Sequence, residues 1–360
     1  MNDINPAALA TTVVWCGFGL GIALGFLMQK SRFCTMGAIA DVVNFGDWSR
    51  ARMWMAAVAV ALLGVTAMTA AGWIAPAKSL YGGDRVLWLS ACVGGLLFGF
   101  GMVLAGGCSS KALLRMGHGS LKGLVVFIVL GLVAAMTLKG VLGVLRVATL
   151  EKVAIPVSSQ SLLVGEAGVW VGLGAGLLLA AMALFTRQGR ALGSLLAGAG
   201  VGGLIVLAWF ITGKLGYIAE DPNTLQEAFV ATNSGKMEAL SFVAPFAYIQ
   251  DLLVLWSDKS KAVSWGIAAA VGVFVGALAQ ALFSGGFRWE GFADTEDLAN
   301  HLAGAAMMGF GGVVAGGCTF GQGISGLSMA SIGAVLATLG IVGGAWLALI
   351  YQTKRLERLM

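Results

Sequence analysis

Five cysteines, Cys16, Cys34, Cys92, Cys108 and Cys318, are the residues of this chain best suited to chemistry. They form no CxxC pair and have no histidine cluster beside them, which argues against a disulfide framework or a zinc site. Three share a context, each being followed by a small hydroxyl residue: Cys34-Thr35, Cys108-Ser109 and Cys318-Thr319. Two of the three end an internal repeat, since residues 98–108, FGFGMVLAGGC, match residues 308–318, MGFGGVVAGGC, at eight of eleven positions. Residues 24–34, LGFLMQKSRFC, form a weaker copy in which Ser-Arg-Phe replaces Ala-Gly-Gly, and residues 172–190 a degenerate fourth copy without cysteine. An isolated membrane cysteine is ordinarily a small, polarizable packing residue, and Cys16 and Cys92 are read that way. Packing alone would accept Ala or Ser at the recurrent positions, so Cys34, Cys108 and Cys318 become the candidate site. A thiol is a weak donor to oxygen but engages a soft sulfur or selenium atom well. Three in series suit a soft, sulfur-containing anion.

The flanking residues say what must hold these thiols. Thr35, Ser109 and Thr319 look like N-caps of short helices, whose free N–H groups and positive dipole ends would face an anion's hard oxygens. The glycine pairs before Cys108 and Cys318 let the chain reverse and let a solute approach the backbone. Lys30, Arg32, Lys111 and Arg115 flank the cysteine elements, either to draw an anion in or as ordinary flanking charges. Gln322, four residues past Cys318, is placed one turn into the next short helix, within reach of a substrate or packed in the core. His118 and His301 stand singly and read as structural, and Asp294, Glu296 and Asp297 cap the next helix. No carboxylate marks itself as a coupling group, and neither a metal nor a cofactor is called for.

The elements that position these residues are transmembrane helices. Of 360 residues, 58% are hydrophobic, 11% are charged and 55 are glycine, and the mean hydropathy is +0.89. Apolar blocks have the ~20 residues that cross a hydrocarbon core. They predict an all-α polytopic fold with nine crossings: 8–28, 52–74, 87–105, 121–145, 165–186, 192–212, 263–283, 300–316 and 331–351. Residues 239–256, with Glu238, Pro245 and Asp251, read as a re-entrant or interfacial element. The first segment has no basic residues before it and no cleavage site, so it is expected to remain as a membrane helix. The N-terminus lacks Lys and Arg whereas Lys354, Arg355 and Arg358 end the chain, which places the N-terminus outside and the C-terminus in the cytoplasm. Cys108 then ends crossing three and Cys318 crossing eight, in opposite directions. Residues 1–150 and 165–360 are therefore expected to be inverted halves of one membrane domain, joined by a linker at 151–164.

The segments RFCTMGAIADV, AGGCSSKALLRMGHG and AGGCTFGQGISGLS resemble the three cysteine motifs of the YeeE/YedE family of bacterial membrane proteins, in order and in spacing. The resemblance implies an inner-membrane thiosulfate uptake protein rather than an enzyme, built as inverted halves with short re-entrant helices. Three thiols, carried here by Cys34, Cys108 and Cys318, would relay the ion by S–H···S hydrogen bonds. It further implies a small cytoplasmic TusA-like sulfurtransferase as partner, a separate chain since none follows Met360, and no dealings with nucleic acid. Related branches handle other sulfur or selenium species. A membrane thiol oxidoreductase and a neutral-solute channel are the competing readings.

Overall fold

The computed structural model describes residues 6–185, 192–221, 225–258 and 261–359. Nine long helices match the nine apolar blocks: α1 Pro6–Ser31, α3 Ser49–Ala70, α4 Trp88–Leu104, α6 Leu121–Leu138, α8 Gly165–Phe185, α9 Leu192–Phe210, α11 Trp265–Phe283, α12 Thr295–Val314 and α13 Ile332–Leu359. Four short ones lie between them: α2 Thr35–Phe45, α5 Ser109–Gly117, α7 Val141–Thr149 and α10 Ala244–Val254. Eight of the long helices are long and apolar enough to cross a membrane. The ninth, α12, opens on Glu296 and Asp297 and carries His301, and it is packed between α4 and α6. Asp294 caps it as expected, its Oδ1 accepting the Asp297 N–H at 2.6 Å.

Two segments differ from the sequence reading. The block 121–145 is not one helix, because α6 stops at Leu138 and α7 starts only after Gly140, whose backbone is extended. Residues 239–256 are helical only from Ala244, where Pro245 fits the first turn because it has no N–H to lose. The fourth repeat copy lies within α8, and its last residues, 186–190, fall outside the described residues.

Backbone contact through glycine fixes how the helices pair. Gly101 of α4 and Gly304 of α12 face each other so closely that a Cβ on Gly101 would lie 2.6 Å from the Gly304 carbonyl. Gly94 meets Gly311 farther along the same pair, so α4 and α12 run antiparallel. By the same criterion α1 runs parallel to α11, α3 to α9, and α4 to α13. In lipid the gain from such approach is van der Waals contact, which explains glycine at these positions rather than Ala or Leu. Residues 151–164 are seated on the bundle. Ile155 and Pro156 pair with Arg85 and Val86, and the Gln160 carbonyl accepts the Ile332 N–H at 3.0 Å.

Candidate functional site: three thiol-bearing helix breaks

The breaks before the three cysteines have one backbone form. At the end of α4 the Gly107 N–H donates to the Met102 carbonyl at 2.8 Å and Gly106 to Val103 at 3.1 Å, with Gly106 at φ +63°. At the end of α12 Gly317 donates to Gly312 at 2.8 Å and Gly316 to Val313 at 3.1 Å, with Gly316 at φ +73°. This nested pair of bonds with a left-handed residue is how helices commonly stop, and it favours glycine. At the end of α1 Phe33 donates to Met28 at 3.0 Å and Arg32 to Gln29 at 3.4 Å, and the left-handed residue, at φ +54°, is Arg32. Ser-Arg-Phe thus makes the same stop as Ala-Gly-Gly.

The first residue after each stop is the thiol, and here the expected caps need correction. Cys34 and Cys108 are themselves the N-cap residues of α2 and α5, and Thr35 and Ser109 are the first helical residues. A single residue separates the left-handed position from the cysteine, so the extended conformation of a cap falls on Cys, one place before the hydroxyl. Cys34 Sγ accepts the Gly37 N–H and Cys318 Sγ the Gly321 N–H, both at 3.3 Å. With sulfur lone pairs engaged, the S–H of each thiol is left to donate elsewhere. Cys108 differs, having Lys111 where the others have glycine, and its Sγ lies 3.3 Å from Ser110 Oγ.

Beyond Cys318 the chain makes a π-helical turn, Gly321–Gly326, instead of the expected α-helix. Three glycines in six residues give that stretch little α-helical preference. Side chains hold it in place: Tyr81 donates from its hydroxyl to the Gly321 carbonyl at 2.7 Å, and Gln322 Nε2 to the Ala315 carbonyl at 2.8 Å. The equivalent carbonyl of the other break, Ala105, accepts from Arg115 Nη1 at 3.2 Å. Gln322 and Arg115 therefore brace matching loops. Ser109 Oγ, Thr319 Oγ1 and Gln322 Oε1 are buried with no hydrogen-bond partner among the described residues.

Cys34 and Cys108 are electrostatic neighbours, with Lys111 and Arg50 beside them. A cavity of about 490 Å³ adjoins Lys111 and Arg115 and is also lined by Gln29, His118, Arg288 and Glu290. His118 is not solitary, because its Nδ1 lies 2.9 Å from Gln29 Nε2. His301 pairs with Asp297 at 3.0 Å. Lys30 lines a different cavity, next to Ser31 and Ser194, and Arg32 is exposed. Of the four flanking cations, Lys111 and Arg115 are brought to the thiol elements.

On the Cys318 side two cavities of about 220 and 230 Å³ meet at Tyr81, Arg146 and Gly316. Glu238, Ser241 and Gly317 line the first, and Gln160, Glu151 and Gln322 the second. Arg146 Nε sits 3.3 Å from Glu151 Oε1. Tyr81, Arg146 and Arg50 escaped the sequence reading. The break at Lys139-Gly140 was the available signal for Arg146, since it detaches α7 from the crossing, whereas Tyr81 carries no local signal. Cys16 and Cys92 lie outside all three breaks, and the five cysteines are free thiols.

A family model described as Sulphur transport matches residues 30–347, a stretch that contains all three breaks. Over 359 residues the chain is 28% identical to the Thiosulfate transporter TsuA of Escherichia coli, covering 96% of this chain and 97% of that protein. It is 24% identical over 345 residues to the Thiosulfate transporter TsuA of Spirochaeta thermophila, covering 93% of this chain and 97% of the relative. With its polytopic helical fold and its cysteine motifs inside the matched region, the chain belongs to the YeeE/YedE family of sulphur transport proteins.

Proposed function

We propose that this protein takes up thiosulfate across the bacterial inner membrane, with its N-terminus outside and its C-terminus in the cytoplasm. The observation that carries the reading is the recurrence of one stop geometry with a thiol at its first free position, at Cys34, Cys108 and Cys318. Full-length similarity to two proteins named thiosulfate transporters supports the choice of ion. Thiosulfate pairs a soft terminal sulfur with hard oxygens. The thiols donate S–H to that sulfur, and the orphaned hydroxyls of Ser109 and Thr319 and the cationic Lys111 suit the oxygens.

In this reading the ion enters by the cavities at Arg146, passes Cys318, then Cys108 and Cys34, and leaves past Lys111 and Arg115. The antiparallel α4 and α12 support an inverted arrangement. So does the packing, in which α1 against α11 corresponds to α9 against α3, and α4 against α13 to α12 against α6. That correspondence starts the second half at α9, with α8 outside both halves. A cytoplasmic TusA-like sulfurtransferase would receive the ion on the Lys111 side.

Labelled thiosulfate uptake into proteoliposomes, in competition with sulfate, sulfite and selenite, tests the proposal. Thiosulfate uptake is expected to resist excess sulfate and to be abolished by Cys108→Ala and by Cys318→Ala, with both variants still folded in the membrane. Normal uptake in both variants, or a preference for sulfate, overturns it.

A further inference from the structure

A carboxyl group faces the anion path at its Cys318 end. Glu238 lies in the connection before α10 and lines the cavity of about 220 Å³ that also exposes Gly316 and Gly317, the two residues before Cys318. Its side chain is half-buried, and Oε1 accepts the Ser234 N–H at 2.8 Å. None of the salt bridges among the described residues includes it. A negative charge without a paired cation at the mouth of an anion path repels the solute the path is built for.

Asn233 and Ser234, on the same cavity, hydrogen-bond the carboxylate, and the charged groups around it leave it without a paired cation. Tyr81, from the segment between α3 and α4, and Tyr248, from α10, are close enough to interact electrostatically with Glu238, and both are neutral phenols. Arg146 of α7 is the cation on the same cavity, and its Nε lies 3.3 Å from Glu151 Oε1 without a hydrogen bond among the described residues, so its nearest anion is Glu151 rather than Glu238. The Lys139–Asp251 pair, 2.9 Å apart, sits beside Tyr248 and is internally balanced. Helices α6, α11 and α12 contribute only Leu138, Gly266 and the apolar or glycine residues of 312–317.

From this geometry we infer that the outer cavity is a joint site for an anion and a proton, in which Glu238 takes up a proton as the anion enters. The inference rests on the thiosulfate-uptake reading and adds a second ligand to its entry site. The proton comes from the aqueous side, bonds to a Glu238 carboxylate oxygen and removes the charge that would oppose the ion. Burial already pushes the Glu238 carboxyl above the usual range, so the entering charge extends a shift the fold has begun. By linkage, whatever the anion does to proton affinity the proton does to anion affinity. Thiosulfate is the anion of a strong acid and stays a dianion in neutral and mildly acidic buffer, so any proton taken up belongs to the protein.

The test is uptake of labelled thiosulfate by proteoliposomes at a fixed internal pH while the external pH is stepped from neutral to mildly acidic. Fixing the interior separates Glu238 from His118, which lines the opposite cavity. KM should fall at least about fivefold as the exterior is acidified, and Glu238→Gln, which keeps an acceptor for Ser234, should flatten that dependence. Titration calorimetry of the detergent-purified wild type in buffers of different ionisation enthalpy should show net proton uptake on thiosulfate binding. The wild type alone therefore decides the matter if the variant does not fold. A KM indifferent to external pH, a Glu238→Gln profile like the wild type's, or binding without proton uptake each overturns the joint site while leaving thiosulfate transport standing. Absence of thiosulfate uptake brings down both.

Discussion

Arg32 occupies the left-handed position that Gly106 and Gly316 hold in the other two breaks. An L side chain there costs about 1 kcal/mol relative to glycine. Arg32→Gly should therefore raise the thermal stability of the detergent-solubilised protein by roughly that amount, and Gly106→Ala and Gly316→Ala should lower it. Slower uptake by the stabilised Arg32→Gly variant would show that the guanidinium is retained for the anion at the expense of stability. Cys16→Ser and Cys92→Ser, outside the breaks, should leave thiosulfate uptake within about twofold of wild type, and a loss comparable to that of Cys108→Ala would move the site. At this scale the thiols were legible because they recur behind glycine and before a hydroxyl. The Cys-for-Thr cap was not, since which residue caps depends on where the left-handed residue falls. Tyr81 was illegible for another reason, since it belongs to a connection that only the tertiary fold carries to Gly316, whereas Arg146 was legible only through the break that detaches α7.

Between elements, the α4–α12 crossing is set by glycine against carbonyl, with no flexible side chain that could yield. Gly101→Ala or Gly304→Ala should cost about 1–3 kcal/mol through overpacking, seen as earlier melting or aggregation in size-exclusion chromatography. Gly19→Ala, with nothing within 4 Å of its added Cβ, should melt like the wild type. These contacts also explain why the repeat was so visible. Gly99 and Gly309 sit against α13 and α6, and Gly101 and Gly311 against α12 and α4, so one packing requirement is imposed twice. Long helices were legible from apolar length alone. The stop at Leu138 was not, because Lys139-Gly140 interrupts a hydrophobic run that continues through α7. Nor was the π-helical turn, which owes its form to Tyr81 and Gln322 as much as to its own glycines.

For the molecule as a whole, the proposed topology counts α12 as a ninth crossing beside the eight helices that are long and apolar enough to span, and it expects reporter fusions at the two ends of the chain to report opposite compartments; the same compartment for both would require an even number and overturn it. The direction of each helix was legible only in part, since counting crossings gave the parity of α4 and α12 while their contact came from the fold. The burial of two of the thiols bears on more than substrate choice. Cys108 and Cys318 are 1% and 0% exposed, each directly after a break whose Ala105 or Ala315 carbonyl is braced by Arg115 or Gln322. On the proposed path, closure at two depths by packed side chains makes an electrical insulator at rest. Liposomes carrying the protein should hold an imposed potassium diffusion potential as long as empty ones do, so that a membrane can carry many copies of such a transporter without short-circuiting the ion gradients it lives on.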